Sequence, residues 1–211
     1  MNFTEKDEKK EWFLASPVQY RVYMSDIVEP GKTRYNATVR ITYEGKIQKE
    51  KLIKAIDDSL SRIDILRAQF RYESGKLEYY ISNRKSDVEI IEYDSDMNIE
   101  ELKEKALDGF VKPFSMTGDI LYRVRVAFLQ DKAACMILDC HHIISDGYSS
   151  FIYAKDLQCF YENKPIEEKK YTYEDFSKWQ WEYVQSEEYE HKKNYWRNIF
   201  AEPVQQCEFL E

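Results

Sequence analysis

The sequence predicts an α/β (α+β) fold: a two-layer sandwich of helices on a mixed, largely antiparallel sheet. Three observations lead there. Strand-like and helix-like segments are interspersed along the chain. Two pairs of strand-like segments are split by short turns, at Ser74-Gly75 and at Gln130-Asp131-Lys132, which is how hairpins read. The regular alternation of single strands and helices that builds a doubly wound parallel sheet is missing.

The elements follow in order. A polar leader, residues 1–12, precedes a short helix or turn over Leu14–Met24. Glu29-Pro30-Gly31 is a turn signal. Tyr35–Tyr43 alternates and carries β-branched Thr38, Val39, Ile41 and Thr42, which favours a strand. Leu52, Ile53, Ile56, Leu60 and Ile63 fall at helical spacing, so Gln48–Arg62 is an amphipathic helix. Leu66–Tyr72 and Leu77–Ile81 flank Ser74-Gly75 as a hairpin, and Val88–Tyr93 is a further strand. Ile99, Leu102, Ala106, Leu107 and Phe110 share one helical face, with Pro113 expected to end that helix. Ile120–Leu129 and Ala133–Leu138 form the second hairpin. A helix over Tyr148–Tyr161 carries Tyr153, Ala154, Leu157, Phe160 and Tyr161 on one side. Tyr173–Phe200 reads as helical and is unusually aromatic through Tyr173, Phe176, Trp179, Trp181, Tyr183, Tyr195 and Trp196. Such a stripe is expected in a core or a lobe interface rather than around a cofactor.

Composition narrows the function classes. At 211 residues, 43% hydrophobic and 15% aromatic, the chain can bury a sizeable core as one domain or one large lobe. Its net charge of −8 and lack of a basic block argue against nucleic acid. The charged stretches Glu5–Glu11 and Glu167–Lys170 mix signs and read as solvated surface. Cys135, Cys140, Cys159 and Cys207 lack Cys-x-x-Cys spacing, and Met1–Glu11 has no apolar signal-peptide core. No apolar run approaches the ~18–20 residues of a membrane span. The expectation is a cytoplasmic protein with reduced thiols and no membrane partner. Nucleotide chemistry has no support, because neither Gly-x-Gly-x-x-Gly nor a phosphate loop occurs.

The most informative segment is Cys140-His141-His142-Ile143-Ile144-Ser145-Asp146-Gly147, which holds two of only three histidines. An apolar run leads in and an amphipathic helix leads out, so it reads as buried strand, tight turn, helix. Such turns sit at sheet edges where clefts form. Adjacent side chains leaving a strand point to opposite sides, so one histidine should face a cleft and the other the interior. Asp146 could cap the helix or pair with an arginine and hold the loop. Gly147 could give the backbone a conformation closed to other residues, or allow close approach of a ligand. Three readings compete. The first is a general base in acyl transfer. The second is a metal site from His141, His142, Asp146 and Cys140, which adjacent histidines without a second cluster disfavour. The third is a pair of structural histidines without chemistry. Ser145 and Ser149 lack a Gly-x-Ser-x-Gly elbow, and Cys140 beside His141 is not nucleophile–base geometry. Direct transfer to an incoming amine or hydroxyl fits better than a covalent acyl-enzyme.

The chain resembles the condensation domains of nonribosomal peptide synthetases, within the chloramphenicol acetyltransferase-like superfamily. Ser16-Pro17-Val18-Gln19-Tyr20-Arg21 resembles the family's opening Ser-x-x-Gln-x-Arg, and Glu29-Pro30-Gly31 with Tyr35-Asn36 the stretch that follows. Arg62-Ile63-Asp64-Ile65-Leu66-Arg67-Ala68-Gln69-Phe70 resembles Arg-His-Glu-x-Leu-Arg-Thr-x-Phe, with Ile63, Asp64 and Ala68 as departures. Pro113-Phe114, Gly118 and Arg123 resemble the Pro-Phe-Asp-Leu segment, and His141 to Gly147 matches His-His-x-x-x-Asp-Gly fully. Tyr173 to Trp179 resembles Tyr-x-Asp-Phe-Ala-x-Trp, and Tyr195-Trp196 the helix closing the first lobe.

The resemblance implies that residues 1–211 are an N-terminal lobe whose second lobe is absent. The complete domain would join a donor thioester to the amine of an acceptor, each carried by a peptidyl carrier protein on a phosphopantetheine arm, beside an adenylation domain. By the same resemblance, His142 positions the amine or takes its proton, and Gly147 lies near the pantetheine path, where its amide could meet the oxyanion. Asp146 pairs with Arg62 to fix the loop, and His141 bonds inside the lobe. The chain itself would carry no cofactor and no metal. An isolated lobe would be inactive and would self-associate or show a large exposed apolar patch around the motif. Alternatives are a related acyltransferase using coenzyme A or a carrier, and a non-catalytic half-domain that binds partners.

Overall fold

In the computed structural model, the described residues are 10–94 and 96–202. Most of the polar leader, part of Glu5–Glu11, and Cys207 lie outside them. The elements are β1 (Phe13–Leu14), α1 (Pro17–Val28), β2 (Asn36–Glu44), α2 (Lys49–Ser61), β3 (Ala68–Glu73), β4 (Lys76–Ile81) and β5 (Val88–Tyr93). They continue with α3 (Ile99–Leu107), β6 (Tyr122–Leu129), β7 (Ala133–His141), α4 (Gly147–Glu162), α5 (Tyr173–Val184) and α6 (Glu187–Ile199). A 3-10 turn over Asp64–Arg67 joins α2 to β3. The fold is mixed α/β and its pairing largely antiparallel, as expected. The strands, however, divide into two sheets, β1-β4-β3 and β2-β7-β6-β5, with β5–β6 the parallel pair.

Side-chain alternation explains the layers. Along β7, Ala134, Met136, Leu138 and Cys140 join the large core with Leu52, Ile56 and Leu60 of α2 and Tyr153 and Leu157 of α4. The opposite face, through Ala133, Cys135 and Ile137, packs on Leu102 and Ala106 of α3 and on Phe110. Helices therefore cover both faces of the four-stranded sheet, and all nine residues of β7 are buried. A strand covered on both faces reads as a continuous apolar run rather than an alternating one. Each fully buried Leu or Ile there contributes roughly 1.5–3 kcal/mol.

Two local expectations need correction. Helix α3 stops at Leu107, before Pro113, because Gly109 takes φ +60°, a left-handed conformation that favours glycine. Tyr173–Phe200 is two helices. The chain breaks at Gln185-Ser186, where the Ser186 hydroxyl accepts from the Tyr189 N–H and starts α6. Of the two settings expected for the aromatic stripe, a core or a lobe interface, the core does not hold along α6, which has no buried residue. Among the described residues Cys135 and Cys140 are buried free thiols and Cys159 is a half-buried one. No described helix is long and apolar enough to cross a membrane.

Candidate active site

Strand β7 is the central support of the site. It lies between β2 and β6 and carries the chain to the end of the sheet at His141. The His141 N–H donates to Leu121 O at 2.8 Å, and the next N–H, from His142, donates to Tyr35 O at 2.7 Å. The backbone at the pair is thus held from both flanking segments. The Ile144 N–H then donates to His141 O at 3.0 Å, closing the turn. Buried Ile143 and Ile144 pin that turn to the core. From α1, Gln19 Nε2 donates to Ile143 O at 3.1 Å.

The two histidines separate as strand alternation requires. His141 is 2% exposed, whereas His142 is exposed to solvent. The Ile143 N–H donates to His141 Nδ1 at 3.1 Å, so the His141 proton belongs on Nε2. That nitrogen faces Asp26 Oδ1 of α1 at 3.6 Å, beyond hydrogen-bond distance. Burial pushes the His141 pKa down, with Asp26 opposing. The ring is neutral at pH 7 and shaped for support. His142, in contrast, has its backbone fixed and its imidazole exposed.

Asp146 is the N-cap of α4. Its Oδ1 accepts from the Ser149 N–H at 2.8 Å and from the Ser149 hydroxyl at 2.6 Å, while Ser149 Oγ accepts from the Asp146 N–H at 3.2 Å. These bonds hold the Asp146 carboxyl below its usual range, despite partial burial. The expected Asp146–Arg62 pair does not form. Arg62 Nε instead donates to Asp156 Oδ2 at 3.0 Å, tying the end of α2 to α4, and Arg62 also bonds Glu167 O. The physical reason is competition: the adjacent amide and hydroxyl of Ser149 occupy the Asp146 carboxylate, and Asp156 lies closer to the arginine. Arg62 thus supports α4 from its side rather than the loop from its end.

Gly147 is the first residue of α4, and its backbone is not left-handed. An added Cβ there would meet nothing within 4 Å. Among the described residues neither conformation nor packing calls for glycine at 147.

Residues that the sequence reading passed over complete the support. Asp139, fully buried, precedes the pair by two positions on β7 and accepts from Asn36 and Thr38 of β2. An acidic residue ending an apolar run was the signal for it. Beyond the turn, exposed Tyr148, Phe151 and Ile152 line a groove of about 910 Å³ with Tyr171 and Phe176. His142 is not among the residues of that groove. Among the described residues no group of three or more His, Cys, Asp or Glu is placed to hold a metal ion.

A buried strand delivers one interior and one exposed histidine to a capped helix within this mixed α/β architecture. Solved structures share it. The starter condensation domain of rhizomide synthetase RzmA superposes with a TM-score of 0.80 at 17% identity, covering 92% of this chain and 49% of that one. A variant of the same domain in complex with C8-CoA gives 0.81 at 18%, covering 90% and 46%. Gramicidin S synthase 2 of Brevibacillus brevis is 31% identical over 199 residues, which is 92% of this chain and 4% of that protein. The family described as Condensation domain matches residues 9–211, and the chain belongs to it. It spans about half the length of the solved domains and a few per cent of the synthetase.

Proposed function

We propose that this chain is the N-terminal, motif-bearing lobe of a nonribosomal peptide synthetase condensation domain. In the complete domain it would form an amide between a carrier-tethered acyl or peptidyl thioester and the amine of a carrier-tethered acceptor. The observation that carries this reading is the division of labour at the end of β7, with His141 buried and His142 exposed on a backbone fixed at 2.7 Å to Tyr35 O.

His142 positions the acceptor amine and takes its proton as the tetrahedral intermediate forms, then the thiol of the donor arm departs. A positioned base contributes ~10²–10⁴-fold. Holding both thioesters in register contributes more, with effective molarities of ~10⁵ M or above. Gly147 leaves room for a pantetheine arm at the start of α4, and its amide is available to the oxyanion. Phosphopantetheine belongs to the carriers. Peptidyl carrier proteins, a second lobe and a neighbouring adenylation domain are the proposed partners, in the cytoplasm.

A second reading has one specific support. The structurally similar starter domain was solved with C8-CoA, so the acyl donor here could instead be a coenzyme A thioester. The deciding experiment places residues 1–211 in a complete two-lobe condensation domain and offers an acceptor-loaded carrier with one donor at a time. Product from the carrier-bound donor supports the first reading. Product only from acyl-coenzyme A supports the second, and product from neither overturns both.

A further inference from the structure

Asp139 is a carboxylate that stability alone does not explain. It is 0% exposed, in the middle of the four-stranded sheet. In the ladder it lies opposite Thr38 of β2 and Arg123 of β6, and His141 lies opposite Asn36. Alternation places Asn36, Thr38, Arg123, Asp139 and His141 on one face of the sheet, beyond the part that α3 covers.

The bonds converge there. Asp139 Oδ2 accepts from Asn36 Nδ2 at 2.8 Å and Oδ1 from the Thr38 hydroxyl at 3.0 Å, while Arg123 Nη1 stands 3.6 Å from Oδ2. Asn36 Nδ2 and Arg123 Nη1 also donate to Lys112 O, at 3.0 and 2.8 Å. The Arg123 guanidinium lies 3.9 Å over the ring of Phe114, and that ring meets His141 edge-on at 6.3 Å. Tyr35, next to Asn36, holds the His142 N–H and packs its ring on His141 at 6.0 Å. The segments that bring Tyr35 and Phe114 to the histidine pair are therefore linked to Asp139 through Asn36 and Arg123.

Burial pushes the Asp139 pKa up, against the pull of Asn36, Thr38 and Arg123. A buried ion pair is often no more stable than an apolar replacement, so retaining one here calls for another role. We propose that Asp139, acting through Asn36 and Tyr35, is a positioning residue that fixes the orientation of His142. This rests on the reading of His142 as the acyl-transfer histidine, but its test does not use acyl transfer.

The chain has three histidines, so each ring and amide can be followed separately by NMR, with His191 on α6 as an internal control. In Asp139→Asn, which keeps the shape but gives up the charge, the His142 amide should exchange at least ~10-fold faster at a matched global stability. Its ring signals should shift while those of His191 stay in place, because the Tyr35 carbonyl is no longer held. If Asp139→Asn does not fold, Thr38→Val removes one bond to the same carboxylate from the β2 side and should move the His142 signals in the same direction by less. Wild-type His142 exchange and ring shifts in a folded Asp139→Asn, or in Thr38→Val where that is the variant that folds, would overturn the proposal. Shifted His142 signals in a complete domain that keeps full condensation activity would uphold the positioning and count against the acyl-transfer reading alone.

Discussion

Strand β7 is apolar along most of its length and helix α6 carries a cluster of large apolar rings at its C-terminal end, and the fold uses the two in opposite ways. All nine residues of β7 are buried between two helical layers. No residue of α6 is buried, and Tyr195, Trp196, Ile199 and Phe200 just beyond its end are each more than half exposed. Within α6 the rings satisfy one another instead, with Trp196 stacked on Phe200 at 5.9 Å and edge-on to Tyr195 at 5.3 Å. The contrast teaches that apolar content marks surface that needs covering, whereas topology decides whether this chain supplies the cover. For β7 it does, and the reward is a rigid platform for the histidine pair. For α6 the described residues do not, and the chain spans 49% of a solved condensation domain.

The contrast is sharpest in truncations. Met136→Ala on β7 removes a fully buried side chain and should cost ~2–5 kcal/mol, read as a drop in the denaturant midpoint at unchanged slope. Trp196→Ser on α6 should stay within about ±0.5 kcal/mol, the usual range for surface positions. Equal losses at the two sites would erase the distinction. Trp196→Ser should also reduce self-association measured by light scattering, since large exposed apolar patches drive association. A strictly monomeric parent chain would remove that expectation.

The same comparison can be pushed by pH at the end of β7. Burial lowers the His141 pKa from its ordinary 6.5, so the unfolded chain binds this proton first as the pH falls. The stability linked to neutral His141 is complete above about pH 6.5 and is lost as the pH drops below it. Unfolding midpoints between pH 7.5 and 5 should decline, and His141→Gln should flatten that slope. An unchanged slope in the variant would show that His141 is not the group responsible.

Smaller effects are expected at the start of α4. Asp146→Ala removes an N-cap and should cost about 0.5–2 kcal/mol, without the larger penalty of stranding Arg62, which keeps Asp156. Asp156→Ala is the variant that strands it. If Asp146→Ala proves the more damaging of the two, the cap and pair assignments are reversed.

Much of this organisation was legible in the sequence. Val88–Tyr93 has the bounds read from the sequence, and α2 and α4 fall within a residue of theirs. Opposite exposure of His141 and His142 followed from strand alternation alone. What escaped depends on partners distant in sequence. Strand β7 runs three residues past Leu138, because Asp139 and His141 are polar yet find Asn36, Thr38 and Asp26 from other elements. Arg62 finds Asp156 across 94 positions, a choice that no local pattern encodes. The break at Gln185-Ser186 contains neither glycine nor proline, and only the Ser186 cap announces it. The split into two sheets is likewise a matter of pairing, which hydropathy does not specify.

The central claim is that β7 presents His142, and not His141, to the reacting amine. It is tested most directly by the rate of peptide-bond formation from carrier-loaded substrates in a complete condensation domain containing this chain, with His142→Ala against the parent. The account predicts at least a ~10²-fold loss with the unfolding midpoint nearly unchanged, the size expected for a positioned base. Turnover at the parent rate in the folded variant would contradict it.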